Sequence, residues 1–134
     1  MIMKRFAIAA LFALLAGAPA AFAAETFQPY TQAKFDTLQS QGKTVLVDVY
    51  AEWCPTCRSQ SVTLEKLLKE KPLDQIVTLR LDWDDQRKQA RAMGAPRQST
   101  LFVYRNGNKL GTSVAETDEA RLRKFLHDNS RNGG

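Results

Sequence analysis

Apolar and polar positions change period several times along the chain, and each change predicts an element. Phe27 to Tyr30 reads as a short strand. From Thr31 to Gln41 the apolar residues Ala33, Phe35 and Leu38 recur at mostly helical spacing, and Gly42 supplies a stop. Thr44 to Ala51, TVLVDVYA, is β-branched and almost continuously apolar. That is the pattern of a central strand covered on both faces, and Asp48 is its one odd residue. Pro55 stands where a helix would begin, and Val62, Leu64, Leu67 and Leu68 predict an apolar stripe on a helix reaching about Lys71. Ile76 to Leu81 alternates as a strand, and Asp84 or Asp85 is placed to cap a helix that ends at Gly94. Thr100 to Tyr104 predicts a strand, Asn106-Gly107 a two-residue hairpin turn, and Lys109 to Val114 the returning strand. Thr117 or Asp118 caps a last helix with Leu122, Phe125 and Leu126 facing inward.

The resulting order is β-α-β-α-β-α-β-β-α. Strands separated by helices imply parallel pairing, and the closing hairpin implies an antiparallel edge. The expected fold is therefore α/β, a mixed five-stranded sheet with a parallel core and a C-terminal antiparallel hairpin, flanked by about four helices. Sites in such sheets form at the carboxyl ends of the parallel strands. The only two cysteines, Cys54 and Cys57, fall there, where the 44–51 strand hands over to its helix.

Residues 1–23 do not share this periodicity. Lys4 and Arg5 form a basic start, Phe6 to Ala16 an apolar run, Gly17 and Pro19 a break, and Ala21-Phe22-Ala23 a small-x-small cleavage pattern. This reads as a secretory signal removed after Ala23, with an uncleaved membrane anchor as the alternative. Residues 24–134 then form one domain, exported and most simply periplasmic. The net charge of +5 includes Lys4 and Arg5 of the leader, and no basic stripe alternates with aromatics, so nucleic-acid binding gains no support.

An oxidising compartment changes the meaning of the cysteines. A structural disulfide, a metal site and a catalytic dithiol are all open. A staple that closes over two intervening residues removes little chain entropy. Zinc needs three or four protein ligands, and the chain offers two cysteines and one histidine, His127, on a helix with Arg123, Lys124 and Asp128. A helix starting at Pro55 would instead place Cys54 among unpaired N–H groups at the positive end of the helix dipole, which favours thiolate. Cys57, one turn on, lies within disulfide range and could resolve a mixed disulfide formed at Cys54. Asp48, buried by this pattern, would have a raised pKa and could take the Cys57 proton.

These stretches resemble the thioredoxin family. VLVDVYAEWCPTCR (45–58) is similar to its active-site strand and helix, and TLRLDWDDQ (78–86) and TLFVYRNG (100–107) fit at the family's spacing. The resemblance implies a thioredoxin fold, thiol–disulfide exchange on disulfide-containing protein substrates, and no cofactor or resident metal. It makes Cys54 the attacking thiol, Cys57 the resolving thiol, Asp48 the buried proton acceptor and Trp53 an aromatic flank of the substrate surface. Pro55, Thr56, Ser99 and Thr100 complete that surface, and Arg80 stands where a lysine usually accompanies the aspartate. The expected assembly is a monomer recharged by a membrane-bound electron donor. The chain departs from the pattern at three places. Pro55-Thr56 replaces Gly-Pro and lacks the histidine of strong oxidases, which favours reductase over oxidase or isomerase; a dithiolate metal carrier is the remaining alternative. Val62 replaces a kinking proline. Ser99, in RQST, replaces a cis-proline, and Gln98–Ser99 is expected to be trans because a non-proline cis bond costs about 2.5–4 kcal/mol.

Overall fold

In a computed structural model, Gly17 and residues 25–131 are described. The leader read at residues 1–23 lies outside them, Gly17 apart. Ten elements follow in order: β1 (Phe27–Pro29), α1 (Gln32–Ser40), β2 (Val45–Tyr50), α2 (Pro55–Leu67), a 3-10 turn (Leu73–Gln75), β3 (Val77–Asp82), α3 (Arg87–Ala92), β4 (Thr100–Arg105), β5 (Asn108–Val114) and α4 (Glu119–Arg131). The five strands form one sheet in the order β1-β3-β2-β4-β5. All six residues of β2 are buried, as the TVLVDVYA run predicts for a central strand.

Alternation along the strands builds a core on each face. Val45, Val47, Phe102 and Tyr104 point to one face, where Phe35 and Leu38 of α1, Ala90 of α3 and Met93 just after α3 cover them. Leu46, Leu101 and Val103 point to the other, under Leu64 and Leu67 of α2 and Leu122 and Leu126 of α4. Phe125 is partly buried against this second cluster. Cys54 and Cys57 belong to the first cluster although the body of α2 belongs to the second. The start of α2 therefore sits over the end of the sheet.

β1, β3 and β2 are parallel, but β4 is antiparallel to β2 although a helix precedes it. The six-residue α3 rises only about 9 Å at roughly 1.5 Å per residue. A six-residue strand such as β3 spans about 20 Å. The chain consequently enters β4 at the end where it left β3, with Thr100 opposite Val49. This brings the segment before β4 alongside the segment after β2.

Local signals account for most boundaries. Thr31 Oγ1 accepts the Lys34 N–H at the start of α1, and Asp118 Oδ1 accepts that of Arg121 at the start of α4. Asn106 and Gly107 both have positive φ, 51° and 78°, as a two-residue hairpin turn requires. Three expectations fail. Helix α2 ends at Leu67, not near Lys71, because the chain turns there into the Lys69–Gln75 segment that buries Leu73. Neither Asp84 nor Asp85 caps α3; both backbones donate to Asp82 Oδ1 in a tight turn, and the helix begins later with Gln86 as its cap residue. Val62 is 71% exposed, because the buried stripe of α2 runs through Cys57, Gln60, Leu64 and Leu67.

Candidate active site

The buried strand β2 delivers the chain to the end of the sheet, and Ala51 to Trp53 turn it into α2. Cys54 N–H donates to Ala51 O (3.1 Å) across this turn, and Arg58 Nη1 donates to Glu52 O (2.9 Å) from the first turn of the helix. Cys54 is the N-cap of α2 and Pro55 follows inside it, where the missing N–H of proline costs nothing. In place of the usual oxygen, the Cys54 sulfur caps the helix, accepting the Cys57 N–H at 3.1 Å. Both cysteines are free thiols, and both are buried.

Ser99 arrives from across the groove. Its backbone N–H donates to Val49 O (2.8 Å), at the end of β2. Its hydroxyl lies 3.3 Å from Cys54 Sγ and 3.0 Å from Cys57 Sγ. Ser99 is 0% exposed and has φ of 65°. That left-handed backbone costs a serine of order 1–3 kcal/mol, a strain that persists only because surrounding contacts hold it. The cis peptide among the described residues is Lys71–Pro72, so Gln98–Ser99 is trans, as expected.

The two thiols are driven apart. Burial pushes the Cys54 thiol up, but hydrogen bonds from the Cys57 side chain, Ser99, the Cys57 backbone and Gln98 together bring it below its ordinary value. Burial, reinforced by the hydrogen bond with Cys54, pushes the Cys57 thiol up despite Ser99. One thiol is thus prepared as a nucleophile and the other keeps its proton.

Asp48 is buried in the middle of β2, opposite Arg80 of β3. Arg80 Nε and Nη2 both donate to Asp48 Oδ2, at 3.0 and 2.9 Å, and Nη2 also donates to Ser61 Oγ of α2 at 2.7 Å. The guanidinium is sandwiched between the rings of Phe27 and Tyr50, 3.8 and 3.9 Å from their centroids. Burial holds the Asp48 carboxyl above its ordinary value, against the opposing charge and hydrogen bonds of Arg80. Among the described residues no hydrogen bond joins Asp48 to either sulfur; its link to α2 is Arg80–Ser61, one turn beyond Cys57.

The remaining residues singled out in the sequence surround this centre. Trp53 is 56% exposed and donates Nε1–H to Asp84 Oδ2 at 2.9 Å. Pro55 is exposed and Thr56 half-buried. Thr100 is buried, its hydroxyl donating to Arg97 O at 2.7 Å. Among the described residues, no three His, Cys, Asp or Glu side chains gather closely enough to hold a metal ion. Sequence reading missed Gln60 and Ser61, and read Asp84 as a helix cap rather than the partner of Trp53. Gln60 had a visible signal: it is the polar member of an inward series at 57, 60, 64 and 67.

The thioredoxin family model matches residues 26–128. A thioredoxin of Chlamydia muridarum is 34% identical over 82 residues, covering 61% of this chain and 78% of that protein. A thioredoxin of Mycobacterium bovis is 32% identical over 99 residues, 73% of this chain and 84% of that protein. Among solved structures, Trxlp of Edwardsiella tarda superposes with a TM-score of 0.71 at 36% identity, covering 75% of this chain and 97% of that one. The family match spans the sheet, both cysteines and all four helices but for the last three residues of α4, so the chain belongs to the thioredoxin family, as a thioredoxin-like thiol–disulfide oxidoreductase.

Proposed function

We propose that this chain is an exported protein-disulfide reductase working through Cys54 and Cys57. The observation that carries the reading is the asymmetric dithiol at the start of α2, with the Cys54 sulfur capping the helix and the Cys57 thiol pushed above its ordinary value behind it. The Cys54 thiolate attacks one sulfur of a substrate disulfide and forms a mixed disulfide, releasing the other substrate sulfur as a thiolate. Cys57 then gives up its proton and attacks Cys54 Sγ. The second substrate sulfur leaves, the Cys54–Cys57 disulfide closes, and two electrons have passed to the substrate. Asp48, with its raised carboxyl, accepts the Cys57 proton. Trp53, Pro55, Thr56, Ser99 and Thr100 form the surface against which the substrate docks.

The direction rests on the dipeptide between the cysteines, Pro55-Thr56, which offers no histidine to stabilise the thiolate further. Export rests on the basic, apolar and small-x-small segments of residues 4–23. An exported reductase needs a dithiol donor that carries electrons across the membrane, and the chain acts as a monomer. A thiol oxidase of the same fold is the second reading, favoured by the two donors that converge on the Cys54 sulfur. Reduction of insulin disulfides by the pre-reduced protein tests the first reading. Activity lost in Cys54→Ser supports it, and activity retained there overturns it. A potential against glutathione near about −270 mV sorts reductase from oxidase, which would lie far higher.

A further inference from the structure

We propose that the Ser99 hydroxyl is a catalytic residue of the dithiol, and that buried Gln60 positions it. In the reduced pair, Ser99 Oγ accepts the S–H of Cys57 and donates its own proton to the Cys54 thiolate. This deepens the exchange reading and rests on it.

The proton count selects this arrangement. The hydroxyl has one hydrogen and two sulfur neighbours, at 3.3 and 3.0 Å, so it donates to one and accepts from the other. Cys54 Sγ already accepts the Cys57 backbone N–H at 3.1 Å and lies at the start of α2. A second donor belongs on the sulfur where negative charge gathers. Cys57 Sγ lies one turn inside the helix and, although the Ala51 backbone also hydrogen-bonds to it, keeps its proton, which it shares between Ser99 Oγ at 3.0 Å and the Cys54 sulfur. Closing the disulfide takes the charge from Cys54 and the proton from Cys57, so both bonds to the hydroxyl lose what made them strong. Ser99 therefore stabilises the dithiol over the disulfide and makes the pair a stronger oxidant than it would be without the hydroxyl.

Gln60 explains how a serine holds this position. Ser99 and Ala115 both have left-handed backbones, φ 65° and 58°, and are joined by the Ala115 N–H to Ser99 O bond of 2.9 Å. Gln60 of α2, 0% exposed, places Nε2 between Ser99 O (3.4 Å) and Glu116 O (2.9 Å), clamping both segments. Its orientation is set by those two carbonyls, which would repel an oxygen. Among the described residues Gln60 Oε1 is buried with no partner. A leucine there would leave no orphan oxygen but would release Ser99 from the helix that carries the cysteines.

The test compares Ser99→Gly, Ser99→Ala and Gln60→Leu in the otherwise unchanged protein. Glycine adopts φ of 65° without strain, so it removes the hydroxyl while keeping the backbone. The thiolate absorbance of the reduced protein is titrated against pH, and the pair is equilibrated with glutathione. Both Ser99 variants should titrate Cys54 at higher pH and shift the glutathione equilibrium about tenfold towards the disulfide, about 30 mV lower. Gln60→Leu should move both readouts the same way by less. An unchanged titration and equilibrium in Ser99→Gly overturns the catalytic role. A Gln60→Leu variant that loses only stability overturns the positioning role. Neither readout needs a substrate, so the Ser99 proposal can fail while the insulin assay upholds exchange.

Discussion

Two regions under the same helix bury their side chains equally well and do opposite things with them. Along the body of α2 and across to α4, Leu46, Leu64, Leu67, Leu101, Leu122 and Leu126 are completely buried aliphatics. Towards the start of α2, Asp48, Gln60 and Ser99 are buried, and the Ser99 hydroxyl lies against the two thiols. In the first region each fully buried leucine contributes about 1.5–3 kcal/mol. In the second, an orphaned amide oxygen, a left-handed serine and a carboxyl raised by burial all weaken the fold. The aliphatic layer supplies stability that the reactive corner uses up, and β2 carries both, with Leu46 and Asp48 two residues apart on it.

That division can be broken at several points. The largest effect expected is on activity: Cys54→Ser should bring insulin-disulfide reduction down to the uncatalysed rate while the urea unfolding midpoint changes little. Leu122→Ala should do the reverse, losing about 2–5 kcal/mol of unfolding free energy while the glutathione equilibrium of the folded protein stays put. A shift of that equilibrium would mean that the two regions are coupled.

Asp48→Asn bridges the regions and should move both readouts. If Asp48 is the proton acceptor proposed above, turnover at neutral pH should fall on the order of a hundredfold, the deficit narrowing at alkaline pH as Cys57 ionises by itself. Its effect on stability has a definite sign. The folded-state pKa of Asp48 is raised, so the favourable contribution of the protonated carboxyl is complete below the ordinary carboxylate range and is lost as pH climbs through the raised value. Asn cannot ionise and escapes that loss. The variant should match the parent in acid and exceed it in unfolding free energy at neutral and alkaline pH. The opposite trend would assign Asp48 to a net-stabilising pair with Arg80. Val62→Ser, on the exposed side of α2, should stay within about 0.5 kcal/mol and leave turnover unchanged; a larger effect would extend one region onto that surface.

The strand and helix inventory was legible because each element carries its own period. TVLVDVYA could only be covered on both faces, and Asn106-Gly107 could only turn tightly. The cysteines and Asp48 were legible for a related reason: each breaks the local pattern it sits in. Where reading failed, two local signals competed. Val62 continued an apolar helical run, yet the inward face was set by Cys57, Gln60 and Leu64. Asp84 and Asp85 looked like caps, yet Asp82 took their N–H groups first.

By itself the sequence determined which side chains could do redox chemistry and where one helix would begin, since the strand, Pro55 and the Cys spacing are neighbours along the chain. Only the tertiary structure decided what faces the sulfurs. Ser99 lies 45 residues from Cys54 and reaches it because α3 is too short to return the chain, so β4 starts beside the end of β2. Gln60 holds Ser99 and Glu116 by hydrogen bonds across 39 and 56 residues. Periodicity reports which face of one element is apolar; it carries no information about which polar groups two distant elements will bring within 3 Å of each other.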